Sequence, residues 1–117
     1  MSKDKNTFLA NCIELIRSDD PMTFEDGYHL LLPKVADYAD ELVKLIEGEN
    51  NPRIKSRFIE LLGACDDKRF IPLFKGLLTE QADEVISWAL SSLENMSSAE
   101  GKKIADEFRI KNPKWLE

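Results

Sequence analysis

Apolar residues recur along this chain at spacings of three and four, and short polar stretches with proline or glycine interrupt them. That pattern predicts amphipathic helices. Phe8, Leu9, Cys12, Ile13, Leu15 and Ile16 predict a first helix over Phe8 to Arg17, capped by Asn6 or Thr7 and ended by Ser18-Asp19-Asp20-Pro21. Thr23, with Asp26 three residues on, reads as the N-cap of a second helix over Phe24 to Leu32, although Gly27 lies inside it. Pro33 stops that helix and starts a third, Lys34 to Glu47. There Val35, Tyr38, Ala39, Leu42, Leu45 and Ile46 make the apolar stripe, and Asp37, Asp40, Glu41 and Lys44 the polar one. Gly48 is its stop signal.

Asn51-Pro52 is the clearest helix start in the chain, a capping side chain followed by proline at the first helical position. Ile54, Phe58, Ile59, Leu61 and Leu62 carry that helix's apolar face as far as Gly63. Asp66-Asp67 caps a helix over Lys68 to Thr79, with Phe70, Ile71, Leu73, Phe74, Leu77 and Leu78 inside and Pro72 in its first turn. Asp83 caps Glu84 to Asn95, where Val85, Ile86, Trp88, Ala89, Leu90 and Leu93 are read as core. Ser97 or Ser98 caps the last helix, with Ile104, Ala105, Phe108 and Ile110 on its face. Asn112-Pro113 ends it, and Trp115 is either a cap over the last helix pair or an exposed anchor. The expectation is an all-α domain of about seven helices, joined by short loops that make consecutive helices antiparallel neighbours.

Shifting the chain against itself by 31 residues superimposes this pattern. Ile54 falls on Val85, Phe58 on Ala89, Ile59 on Leu90, Leu62 on Leu93, Leu73 on Ile104 and Phe74 on Ala105. Helix pairs that cannot close a core alone bury it by stacking. NPRIKSRFIELLG followed by DDKRFIPLFKGLL resembles the short HEAT-like repeats, through Asn51, Pro52, Ile54, Lys55, Leu61, Leu62 and Gly63 and then Ile71, Pro72 and Leu73. Phe58 departs from the small residue usual there. The resemblance implies a short right-handed α-superhelix within a single domain, 1–117. Residues 51–81 are its best repeat, 82–117 a second repeat with a C-terminal cap, and 1–50 divergent N-terminal helices. It implies no catalytic residues, but a concave face, lined by the second helix of each pair, that binds another macromolecule.

Carried along the repeat, that face reads Asp37, Asp40, Glu41 and Lys44, then Lys68, Ile71, Pro72 and Lys75, then Ala99, Lys102, Lys103 and Asp106. It is acidic at its N-terminal end and basic at its C-terminal end, although Ile71 fits the core better. Asp19, Asp20, Glu25 and Asp26 crowd the entry to the second helix and extend the acidic surface. Ordinary solvated helix faces and helix-end charges explain the same residues. With Trp115, these charged positions are the candidate partner-binding set.

Composition narrows the choice. The net charge is −6, and all the excess acid lies in residues 1–50, which hold 5 basic and 11 acidic residues against 11 of each in 51–117. Nucleic acid is therefore not the expected ligand, since phosphate binding needs clustered cations. A protein with a basic surface suits the charge. Cys12 and Cys65 sit in apolar patterns and read as buried free thiols. With no leader-like or membrane-length apolar run, the expected location is a reducing cytoplasm. His29, beside Leu30 to Leu32, reads as a partly buried helix residue. No phosphate loop, paired-cysteine motif, metal spacing or nucleophile elbow is present, so neither an enzyme nor a cofactor is expected. A protein-interaction module remains, either a scaffold or adaptor or a small acidic immunity protein that neutralises a basic toxin such as a nuclease. A DNA-gripping glycosylase on a HEAT-like frame is a third class, disfavoured by the acidic balance.

Overall fold

The structure, a computed structural model, describes the backbone of residues 2–116 and the side chains of residues 6–116. The described chain is all-helical, without strands. Its elements are α1 (Ser2–Ile16), α2 (Pro21–Leu31), a 3-10 turn (Leu32–Tyr38), α3 (Ala39–Gly48), α4 (Pro52–Gly63), a 3-10 turn (Lys68–Phe70), α5 (Ile71–Leu77), α6 (Asp83–Glu94), α7 (Ala99–Lys111) and a last 3-10 turn (Pro113–Trp115).

Where the boundaries differ from the sequence reading, capping chemistry accounts for most of it. Asn6 and Thr7 lie inside α1, which starts at Ser2. Asp20, not Thr23, caps α2: its carboxylate accepts from the Thr23 N–H at 3.0 Å and the Thr23 hydroxyl at 2.7 Å. Pro21 follows at the first helical position, so Asp20-Pro21 repeats the logic of Asn51-Pro52. Asn51 Oδ1 accepts from Arg53 N–H at 2.9 Å. The expected helix over Lys34 to Glu47 is split, and its first part is the 3-10 turn that buries Val35 and Tyr38, three residues apart. Asp67 alone caps the turn into α5. Asp83 is the first residue of α6 rather than its cap, and its carboxylate pairs with Lys114 at 3.0 Å. Ser98 caps α7.

Helix α1 packs on α2, α3 and α6 each on α4, and α5 and α7 each on α6, in a body of 45 × 27 × 22 Å. One contiguous core runs from Leu9 to Ala105. Residues 31 apart share burial: Ile54 with Val85, Phe58 with Ala89, Ile59 with Leu90 and Leu62 with Leu93 are all buried. Two side-chain ties span the same interval, Asp66 to Ser97 and Asp83 to Lys114. Asp66 has φ 50, a left-handed conformation that Asp tolerates better than most residues, and accepts from the Ser97 N–H at 2.8 Å.

The close contact of α4 with α6 depends on small side chains. A Cβ on Gly63 would lie 3.0 Å from the Ser92 Cβ, and closer still to its hydroxyl. Gly27, unwelcome on propensity alone, has the same role between α2 and α1, where a Cβ would sit 2.7 Å from Leu15 Cβ.

Arginines fasten the N-terminal helices to α4. Arg57 donates to the Ile16 and Ser18 carbonyls that end α1 and stacks over Phe24 at 4.0 Å. Arg53 pairs with Asp19 at 2.5 Å, while Arg17, just after α1, pairs with Glu49, the C-cap of α3, at 2.6 Å. Four apolar or near-apolar assignments fail: Cys65 is half-buried rather than buried, and three more side chains reach the surface. Trp88 is 37% exposed and Ile110 71% exposed, each just off its helix's buried stripe, and His29 is exposed rather than partly buried.

Candidate binding groove

Helices α3 and α5 both pack on the α4–α6 layer but stand apart from each other. Between them lies an open groove of ≈ 1010 Å³. Val43 and Ile46 of α3 and Leu73 and Leu77 of α5, with Phe70, give it an apolar lining. Asp40, Lys44 and Glu47 line it from the α3 side, and Pro72 and Gly76 from the α5 side. Two ion pairs hold charged side chains along it: Arg69 to Asp40 at 3.3 Å, and Lys55 of α4 to Glu80 at 3.3 Å. The groove thus lines up Asp40, Glu47 and Glu80 against Lys44, Lys55 and Arg69. Its wall is of mixed charge. An apolar trough with charged edges is the usual composition of a protein contact surface.

The candidate residues from the sequence disperse over the molecule. Asp40 and Lys44 meet in the groove. Asp37 is exposed on α3's approach and Glu41 is half-buried. Asp19 is engaged by Arg53, and Asp20 is spent on capping, its two bonds from Thr23 holding its carboxyl below its ordinary value. Glu25 and Asp26 are exposed on α2. Lys68 is exposed, and Lys75 lines a smaller hollow with Ile104 and Glu107 of α7. Lys102 donates to the Met96 carbonyl, while Lys103 is exposed. Ile71 is in the core. Trp115 closes over the last helix pair: its ring lies 6.4 Å from Phe108, and its carbonyl accepts from Arg109. Sequence reasoning missed Lys55, Arg69 and Glu80, which reach the groove from α4 and from the two ends of α5. Val43, an apolar residue off the core stripe, was the available signal.

Among the described residues no group of three or more His, Cys, Asp or Glu is placed to hold a metal ion, and no helix is long and apolar enough to cross a membrane. Burial pushes the Cys12 thiol up, against the opposing charge of Lys34. Burial and then the Asp67 charge push the Cys65 thiol up, so both are held away from the reactive thiolate. Protein-family models, curated proteins and solved structures were each compared with the chain, and none matches it.

Proposed function

We propose that this chain is a non-catalytic protein-interaction module, built as a short HEAT-like right-handed α-superhelix, whose α3–α5 groove receives a protein partner with a basic surface. Its most concrete form is an immunity or inhibitor protein that neutralises a basic toxin such as a nuclease. The open, apolar-lined groove with charged edges carries this reading. The use of the arginines supports it. Arg17, Arg53, Arg57, Arg69 and Arg109 are all bonded within the fold, to Glu49, Asp19, main-chain carbonyls, Asp40 and Asp67, and Glu94 respectively. A chain of net charge −6 whose arginines are spent internally is poorly equipped to grip phosphate and well equipped to attract cations. The location proposed is the cytoplasm.

The test is co-expression with the products of the genes adjacent to its own. The inhibitor reading expects one of them to arrest growth and the wild-type chain to relieve the arrest, while Leu73→Glu, which puts a charge on the groove lining, does not. Association should slow as salt rises from low to physiological strength. The mixed charge of the groove wall favours a general scaffold or adaptor as the second reading. Neighbours that neither arrest growth nor bind the chain would leave that one standing.

A further inference from the structure

The face made by α2, α4 and α6 carries a separate feature. Tyr28, Glu60 and Trp88 line a shallow cup of ≈ 240 Å³, with the small residues Gly63, Ala64 and Ser92. The cup follows from the packing: small residues let α4 and α6 approach, and the larger side chains of Tyr28 and Trp88 stand beside the dip. Tyr28 of α2 and Glu60 of α4 share the wall of the cup. Burial first, and then the neighbouring Glu60, push the Tyr28 hydroxyl up to about 12, so it keeps its proton at neutral pH.

The cations nearest in sequence are committed elsewhere. Arg57, on the turn of α4 before Glu60, is turned to the Ile16 and Ser18 carbonyls and the Phe24 ring. Arg53 is paired with Asp19. Among the described residues no ion pair reaches Glu60. Glu84, one turn before Trp88 on α6, is exposed and adds negative charge to this face.

We infer that this cup is a cation-binding subsite, and that its ligand is an arginine side chain of a partner protein, stacked on Trp88 and Tyr28 with Glu60 as counter-ion. Aromatic faces attract a cation through their quadrupole, and a flat guanidinium can stack on a ring while its N–H fork meets a carboxylate. A lysine ammonium gains only the point-charge part of this. The natural ligand rests on the proposed basic partner, but the site's chemistry is testable without one.

The experiment titrates the intact protein with N-acetyl-arginine methylamide and, separately, with its neutral citrulline isostere, followed by amide and indole NMR. Arginine amide should shift the Trp88 indole and the Gly63 and Ser92 amides saturably, and citrulline should bind about tenfold more weakly or worse. Glu60→Gln removes the charge at nearly constant shape and should abolish the response with the rest of the spectrum unchanged. Trp88→Leu should do the same, and it decides the matter if Glu60→Gln disturbs the fold. Equal shifts with citrulline, or a response surviving in Trp88→Leu, would overturn the assignment. A cup that binds arginine amide while Leu73→Glu leaves partner binding intact would sink the groove reading and spare this one.

Discussion

Helices α4 and α6 are pressed together, whereas α3 and α5, which pack on that same layer, stand apart. The same 31-residue interval spaces both pairs, so the period does not decide between contact and gap. Side-chain size does. At the α4–α6 contact the chain places Gly63, Ser92 and Ala89, and backbones approach until a single extra Cβ would clash. Between α3 and α5 it places Asp40, Lys44, Arg69 and half-buried Val43 and Leu73, too bulky and too charged to close. The closed pair is the frame, and the open pair leaves the groove that we propose receives a partner.

The largest expected effect lies in the closed layer. Phe58 is fully buried on α4, where its counterpart 31 residues on is only Ala89. Phe58→Ala should cost about 3–5 kcal/mol in urea unfolding, because neighbours fixed by the rest of the stack cannot collapse into the void. A loss below about 1 kcal/mol would mean that the layer is not close-packed.

Next is Gly63→Ala, which should cost about 1–3 kcal/mol by forcing α4 and α6 apart. Ser92→Gly in the same chain should restore part of it, and strictly additive losses would separate the two sites. Gly76 in the groove is the counter-case. Nothing lies within 4 Å of a Cβ built there. Gly76→Ala should therefore stabilise, by about 0.4–1 kcal/mol, by reducing the freedom of the unfolded chain. The same methyl stands on the groove side of α5 and should weaken partner binding. Two Gly→Ala changes of opposite sign are the sharpest statement of the closed and open layers. Destabilisation at both would erase the distinction.

The smallest effect belongs to the exposed tie between Asp66 and Ser97. Two bonds from Ser97, from its hydroxyl and from its N–H, hold the Asp66 carboxyl below its ordinary 3.8. A depressed acid stabilises the fold above its unfolded value and loses that contribution as pH falls through the folded one. The melting temperature of the wild type should therefore exceed that of Asp66→Asn near neutrality, and the gap should narrow as pH drops below about 4. A gap independent of pH would mean that the Asp66 charge contributes nothing and that the loss lies in the geometry of the tie alone, since Asn tolerates φ 50 as Asp does.

The helices and most of the core were legible because apolar spacing dictates them locally. Ile54, Ile59, Leu62, Val85, Leu90 and Leu93 are buried as their period requires. Errors came where two signals competed. Thr23 looked like a cap, but Asp20 precedes a proline and wins. Trp88 is apolar enough for the core but sits one position before the buried pair Ala89 and Leu90, and its ring ends at the surface. The groove was only half legible. Asp40 and Lys44 lie on a visible stripe, whereas Lys55, Arg69 and Glu80 reach it from other elements. Their convergence depends on how α3 packs on α4 and α5 on α6, which the spacing of apolar residues within each helix does not fix.

The most direct test of the groove is amide hydrogen exchange on the chain alone and in complex with a partner identified by co-expression. The account predicts added protection across 39–48 and 71–77, the backbones of α3 and α5. A complex that leaves both helices exchanging as they do in the free chain would contradict it.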